Sequence, residues 1–124
     1  MKKENTYFVK RWGEILHIFD PVFCVNYWYL KVKDFKKAER QLKRIGVTCE
    51  LKRHNDGGFI VLKKFGQEIC VIWTRGLTSD IIHECCHATN YVFEKKGIKL
   101  SVETDELFAY YTAFLFKAIK GGSK

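Results

Sequence analysis

The chain has 124 residues, 47% of them hydrophobic and 15% aromatic, with a formal net charge of +8. That length suits one domain, 1–124, with one core, and the apolar content excludes wholesale disorder. No run approaches the ~20 apolar residues that cross a bilayer, so no membrane span is expected. The five cysteines, Cys24, Cys49, Cys70, Cys85 and Cys86, are odd in number and sit mostly in apolar runs. They read as reduced thiols of a soluble cytoplasmic protein rather than as a disulfide framework.

From the N-terminus, residues 13–32 are rich in Ile, Val, Phe, Tyr and Trp, with a break at Asp20-Pro21. Two strands are expected there, the second over 22–32 and apolar on both faces, as a central strand is. Asp34 then caps a helix that runs through Ile45 and stops at Gly46. Phe35, Ala38, Leu42 and Ile45 form its apolar face, and lysines and arginines fill the rest. Three short strands follow, at about 48–53, 59–64 and 68–73, joined by Asn55-Asp56-Gly57-Gly58 and Phe65-Gly66-Gln67. Thr78, Ser79 or Asp80 caps the next helix, which continues to about Lys96 and ends at Gly97. Ser101 or Thr104 caps a last helix with Glu103, Asp105 and Glu106 at its positive end. The order predicts an α+β domain, a small antiparallel or mixed sheet packed with these helices.

Charge divides the chain. Residues 31–64 hold eleven Lys/Arg against four Asp/Glu, whereas 78–120 hold five against six. The basic region is a candidate surface for nucleic acid or an acidic protein partner, against the plainer reading of a solvated helix face.

The pattern that carries chemistry is His83-Glu84-Cys85-Cys86-His87, an HExxH inside the seventh predicted element, the helix that continues to about Lys96. Residues four apart on a helix differ by ~40° around the axis and one turn along it. Both imidazoles therefore leave one face and can share a zinc ion. Glu84 flanks that face, within reach of a metal-bound water without being a ligand, as a general base must be. Two histidines leave a catalytic zinc site one protein ligand short. The acidic cluster Glu103-Thr104-Asp105-Glu106 at the start of the last helix is the natural source, although those carboxylates also serve the helix dipole. Cys86 is a weaker ligand candidate than a packing residue. His17, His54, Arg75, Tyr91, Tyr110 and Tyr111 are candidates for steadying an oxyanion.

His83-Glu84-x-x-His87-Ala88, with Asp105-Glu106-Leu107-Phe108-Ala109-Tyr110 some twenty residues on, resembles the small phage-type HExxH metallopeptidases. It is also similar to the wider gluzincin group, whose third ligand is a Glu within Glu-x-x-Ala-(Asp/Asn). The resemblance implies a zincin-like core, a Zn2+ cofactor held by His83, His87 and Glu106, and a peptide or protein substrate. It makes Ala109 the small residue of the pattern, while Tyr110 departs from its Asp or Asn. It further implies that the strand at 68–73 is the edge along which an extended peptide lies. The function expected is thus a zinc-dependent peptide hydrolase with Glu84 as the catalytic base. The rival expectation is a non-catalytic zinc module whose basic region, 31–64, docks a partner.

Overall fold

The computed structural model describes residues 9–52, 55–64 and 66–122. Five strands and three helices follow in the order β1 (Val9–Trp12), β2 (Ile15–Asp20), β3 (Val25–Lys31), α1 (Phe35–Arg44), β4 (Gly57–Lys64), β5 (Gln67–Thr74), α2 (Thr78–Lys95) and α3 (Asp105–Gly122). The strands form one mixed sheet in the order β1-β2-β3-β5-β4, in which only β3 and β5 run parallel. The domain is therefore α+β. No helix among the described residues is long and apolar enough to cross a membrane.

Alternation along the strands gives the sheet two apolar faces, and each is covered. Ile15, Leu30, Val71 and Trp73 face α1, whose Ala38 and Leu42 complete a cluster with Val47 and Leu51. Leu16, Ile18, Tyr27, Tyr29, Cys70 and Ile72 face the other way, onto α2 and α3. The result is three layers, with α1 on one side and the α2–α3 pair on the other.

The expected ends of α1 are found. Asp34 adopts an extended conformation and its side chain accepts from the amides of Lys36 and Lys37 at 3.0 and 3.2 Å. Gly46 follows with φ +89°, the left-handed turn that a glycine accommodates without strain. Thr104 likewise precedes α3, its carbonyl accepting from Phe108 N at 3.0 Å.

One strand is added and three expectations are corrected. A strand not read from the sequence, β1, pairs with β2 at one sheet edge; its Lys10, Arg11 and Trp12 are exposed, so no apolar alternation marks it. The strand expected at 48–53 is absent over its described part, 48–52, which is irregular. Its Leu51 is buried, but its amide bonds to Glu39 Oε2 at 2.9 Å instead of to a neighbouring strand. Leu77, not Thr78, Ser79 or Asp80, precedes α2, and no side chain caps it. Finally, β5 is not an edge: it pairs with β3 on one side and β4 on the other, leaving β4 outermost.

Candidate metal centre

α2 has two working faces. Ile81, Cys85, Ala88, Val92 and Phe93 are buried against the sheet and α3. Asp80, His83, Glu84, His87 and Tyr91 lie on the other side, where they line a groove of about 1160 Å³ with the first half of β4 as its opposite wall. The spacing explains the division, because positions 80, 83, 84, 87 and 91 return to one side of a 3.6-residue helix.

His83 and His87 converge there. Their Nε2 atoms are 3.1 Å apart, with the rings edge-on at a centroid separation of 4.7 Å. Both side chains are exposed to the groove, whereas Glu84 between them is only 6% exposed. Burial pushes the Glu84 carboxyl above the usual carboxylate range, opposed by the two neighbouring imidazoles and reinforced by the Asp80 charge. Asp80 Oδ2 is itself buried and accepts no hydrogen bond from any described residue. An unpartnered buried carboxylate oxygen is costly, and it adds negative potential to the groove beside the imidazoles.

Gly57 gives Glu84 its room. A Cβ at that position would sit 3.1 Å from Glu84 Oε2 and 3.0 Å from the carbonyl oxygen of Trp73. A bare backbone at the start of β4 thus allows the carboxylate to lie against the strand. The Asn55-Asp56-Gly57-Gly58 signal was legible as a turn, but its service to Glu84 depends on β4 facing α2.

Glu106 is not brought to the histidine pair. It is exposed in the first turn of α3 and does not line the groove. The antiparallel register of α2 and α3 is the reason: Thr89 Oγ1 and Thr112 Oγ1 are 2.8 Å apart, and Phe93 packs edge-on against Phe108 at 5.6 Å. That register sets Glu106 level with residue 95, eight residues beyond His87, or about 12 Å along the axis. Level with the pair itself α3 presents Phe114, Leu115, Phe116, Lys117 and Ala118, with no His, Cys, Asp or Glu among them. Ala109 and Tyr110 are exposed rather than packed. Among the described residues no group of three or more His, Cys, Asp or Glu side chains is placed to hold a metal ion. Cys85 is buried in the core and Cys86 stands outside the groove lining, so a His-His-Cys set is not formed either.

The oxyanion candidates are also accounted for. Tyr91 lines the groove, but its hydroxyl donates to Glu68, which Lys95 Nζ also approaches at 3.0 Å. Tyr111 is buried and donates to Asp20, Tyr110 is exposed outside the groove, and Arg75 lies over the Phe35 ring. His17 pairs with Asn26 and stacks on Trp28. His54 lies outside the described residues. Comparison with protein-family models, curated proteins and solved structures finds no match for the chain.

Proposed function

We propose that the groove between α2 and β4 is a zinc-dependent hydrolytic centre acting on peptide bonds. The observation that carries this reading is the 3.1 Å approach of His83 Nε2 to His87 Nε2. With Zn–N bonds of about 2.0–2.1 Å, that separation corresponds to an angle of about 100° at a shared ion, close to tetrahedral. The donor pair therefore fits zinc, and the unpartnered Asp80 oxygen nearby favours a cation. When bound, zinc polarises a carbonyl and makes water acidic enough to lose a proton near neutral pH.

Glu84 is the base. Its carboxylate stands beside the imidazoles, takes a proton from water and hands it to the leaving amine. Burial, by raising its proton affinity, suits it to hold that proton between the two transfers. The peptide assignment draws on β4. Among the described residues β4 is the outermost strand and pairs with β5 alone, and its first half borders the groove, where an extended chain can add by backbone hydrogen bonds. The edge role expected of 68–73 passes to Gly57–Lys64.

A non-catalytic zinc module is the second reading, favoured by the distance of Glu106 from the pair. Elemental analysis and a peptide-library digest separate the two. Zinc at one per chain, lost in His83→Ala and His87→Ala, with cleavage abolished in metal-loaded Glu84→Gln, is the outcome expected of the hydrolase. Zinc without any cleavage assigns the module, and peptidase activity surviving in Glu84→Gln rejects the mechanism.

A further inference from the structure

The sheet face that carries α1 is covered over only part of its width. Among the described residues α1 packs on Ile15 of β2, Leu30 of β3 and Val71 and Trp73 of β5. On the β1 side the same face presents a cross-strand row of Lys10, His17 and Trp28, with Trp12 in the next row opposite Ile15. Trp12 is 52% exposed, a large ring left in solvent. His17 and Trp28 are half-buried and stack at 4.1 Å with their planes 16° apart, and His17 Nε2 is fixed by Asn26 Oδ1 at 2.8 Å. Aromatic surface is thus displayed on a rigid sheet beside a helix.

That helix is cationic outward. Ala38 and Leu42 turn inward, so Lys36, Lys37, Arg40, Lys43 and Arg44 are all exposed. The acids nearby are occupied: Asp34 caps the helix, Glu39 accepts from Leu51 N, and Glu14 pairs with Lys37 at 3.5 Å. Among the described residues Lys36, Arg40, Lys43 and Arg44 form no ion pair with any of them. The Glu14–Lys37 contact also fixes adjacency, because Glu14 lies in the turn between β1 and β2, two residues after Trp12. Through Lys37, α1 therefore adjoins the end of the sheet that carries Trp12, while Lys36, Arg40 and Lys43 continue the cationic surface around the helix toward Thr48 and Cys49.

We propose that this surface binds single-stranded nucleic acid, with bases stacked on Trp12 and the His17–Trp28 pair and phosphates running along α1. The two halves select the ligand together. A row of lysines and arginines alone takes any polyanion, but exposed rings on a sheet add affinity only for unstacked bases. A duplex keeps its bases stacked, and an acidic peptide gives the rings nothing to stack on. The sequence region 31–64 contains the cations; the rings come from β1, β2 and β3, and only the strand order joins them to α1. His83 and His87 stand on α2, which covers the opposite face of the sheet, so this proposal stands apart from the hydrolytic one.

Tryptophan fluorescence tests it on the full chain. Trp73 is fully buried, so quenching on titration with oligo(dT) of twenty nucleotides reports on Trp12 and Trp28. Binding through four α1 cations gives a slope of log K against log salt of about −3, from roughly −0.7 per phosphate on a single strand. Trp12→Ala, at an exposed site, weakens binding about 5- to 150-fold, the worth of one stacked base. Arg40→Gln/Arg44→Gln reduces the slope by about 1.4 and leaves quenching at saturation intact. Glu84→Gln binds as the parent does. No quenching, equal affinity for the corresponding duplex with no effect of Trp12→Ala, or equal affinity for polyglutamate would each overturn the proposal.

Discussion

Replacing Tyr111 by Phe removes one oxygen from a buried chain of hydrogen bonds that fastens α3 to the sheet. Asp20, 1% exposed, accepts from Val22 N at 2.8 Å, Phe23 N at 3.3 Å and Tyr111 Oη at 2.6 Å. Tyr27 Oη lies 2.7 Å from Tyr111 Oη. Since the single hydroxyl proton of Tyr111 goes to the carboxylate, Tyr27 is the donor to Tyr111. Burial raises the proton affinity of both hydroxyls well above that of a free tyrosine, so both remain protonated donors. Tyr111→Phe deletes a hydrogen bond to a charged acceptor, worth about 1.5–3 kcal/mol, and strands the buried Tyr27 hydroxyl at a further cost of about 1–3 kcal/mol. Partial relaxation reduces the sum to about 3 kcal/mol. Tyr27→Phe deletes only the terminal donor and costs about 1 kcal/mol. The double variant is no worse than Tyr111→Phe alone, because the stranded hydroxyl is then gone. Urea unfolding with an unchanged slope measures all three. A loss below about 1 kcal/mol for Tyr111→Phe, or strict additivity in the cycle, would refute the donor order.

Four further outcomes are expected. Gly57→Ala places a Cβ against Glu84 and the Trp73 carbonyl, so it costs about 1 kcal/mol in stability and about tenfold in any hydrolytic turnover; equal activity would deny that Glu84 needs this space. Glu68 is held below the usual carboxylate range first by the Tyr91 hydroxyl and then by Lys95, so its contribution is present above its unfolded pKa and lost as pH falls through the lower folded value. Glu68→Gln therefore flattens the acid limb of a stability–pH profile below about pH 4, while an unchanged limb contradicts the ion pair. Burial pushes the Cys70 and Cys85 thiols up to about 12, so a brief iodoacetamide pulse at pH 8 labels exposed Cys24 and spares both until the chain unfolds. Glu106→Ala leaves zinc uptake within about twofold of the parent; its loss there would mean that α3 docks in a different register.

The parts of the fold legible in the sequence are those fixed by neighbours along the chain. Asp34 and Gly46 bound α1 because a cap and a left-handed turn are properties of a few consecutive residues. The misreadings concern partners. Val47, Cys49 and Leu51 alternate as a strand does, and Val47 and Leu51 are buried, yet a strand also needs a neighbour for its backbone. The amide of Leu51 has Glu39 instead, so the segment packs without joining the sheet. β1 shows the converse: its residues are mostly exposed and unpatterned, and pairing with β2 alone makes it a strand. The position of β5 between β3 and β4 follows from strand order, which alternation does not encode.

The same distinction explains the site. His83, Glu84 and His87 share one helix, so spacing alone sets their directions and the pair meets as expected. A ligand from α3 depends on how two helices slide against each other, and the slide is fixed far from the motif. Bringing Glu106 level with His87 would move α3 by eight residues and turn it by about 80°. That shift would part Thr89 from Thr112 and pull Tyr111 from the buried Asp20 carboxylate, removing hydrogen bonds worth several kcal/mol for one new ligand. The packing therefore holds α3 where it is. An ion on His83 and His87 would thus draw no carboxylate from the start of α3, and the carboxylates that share the groove with the pair are Glu50, Asp56, Asp80, Glu84 and Glu94.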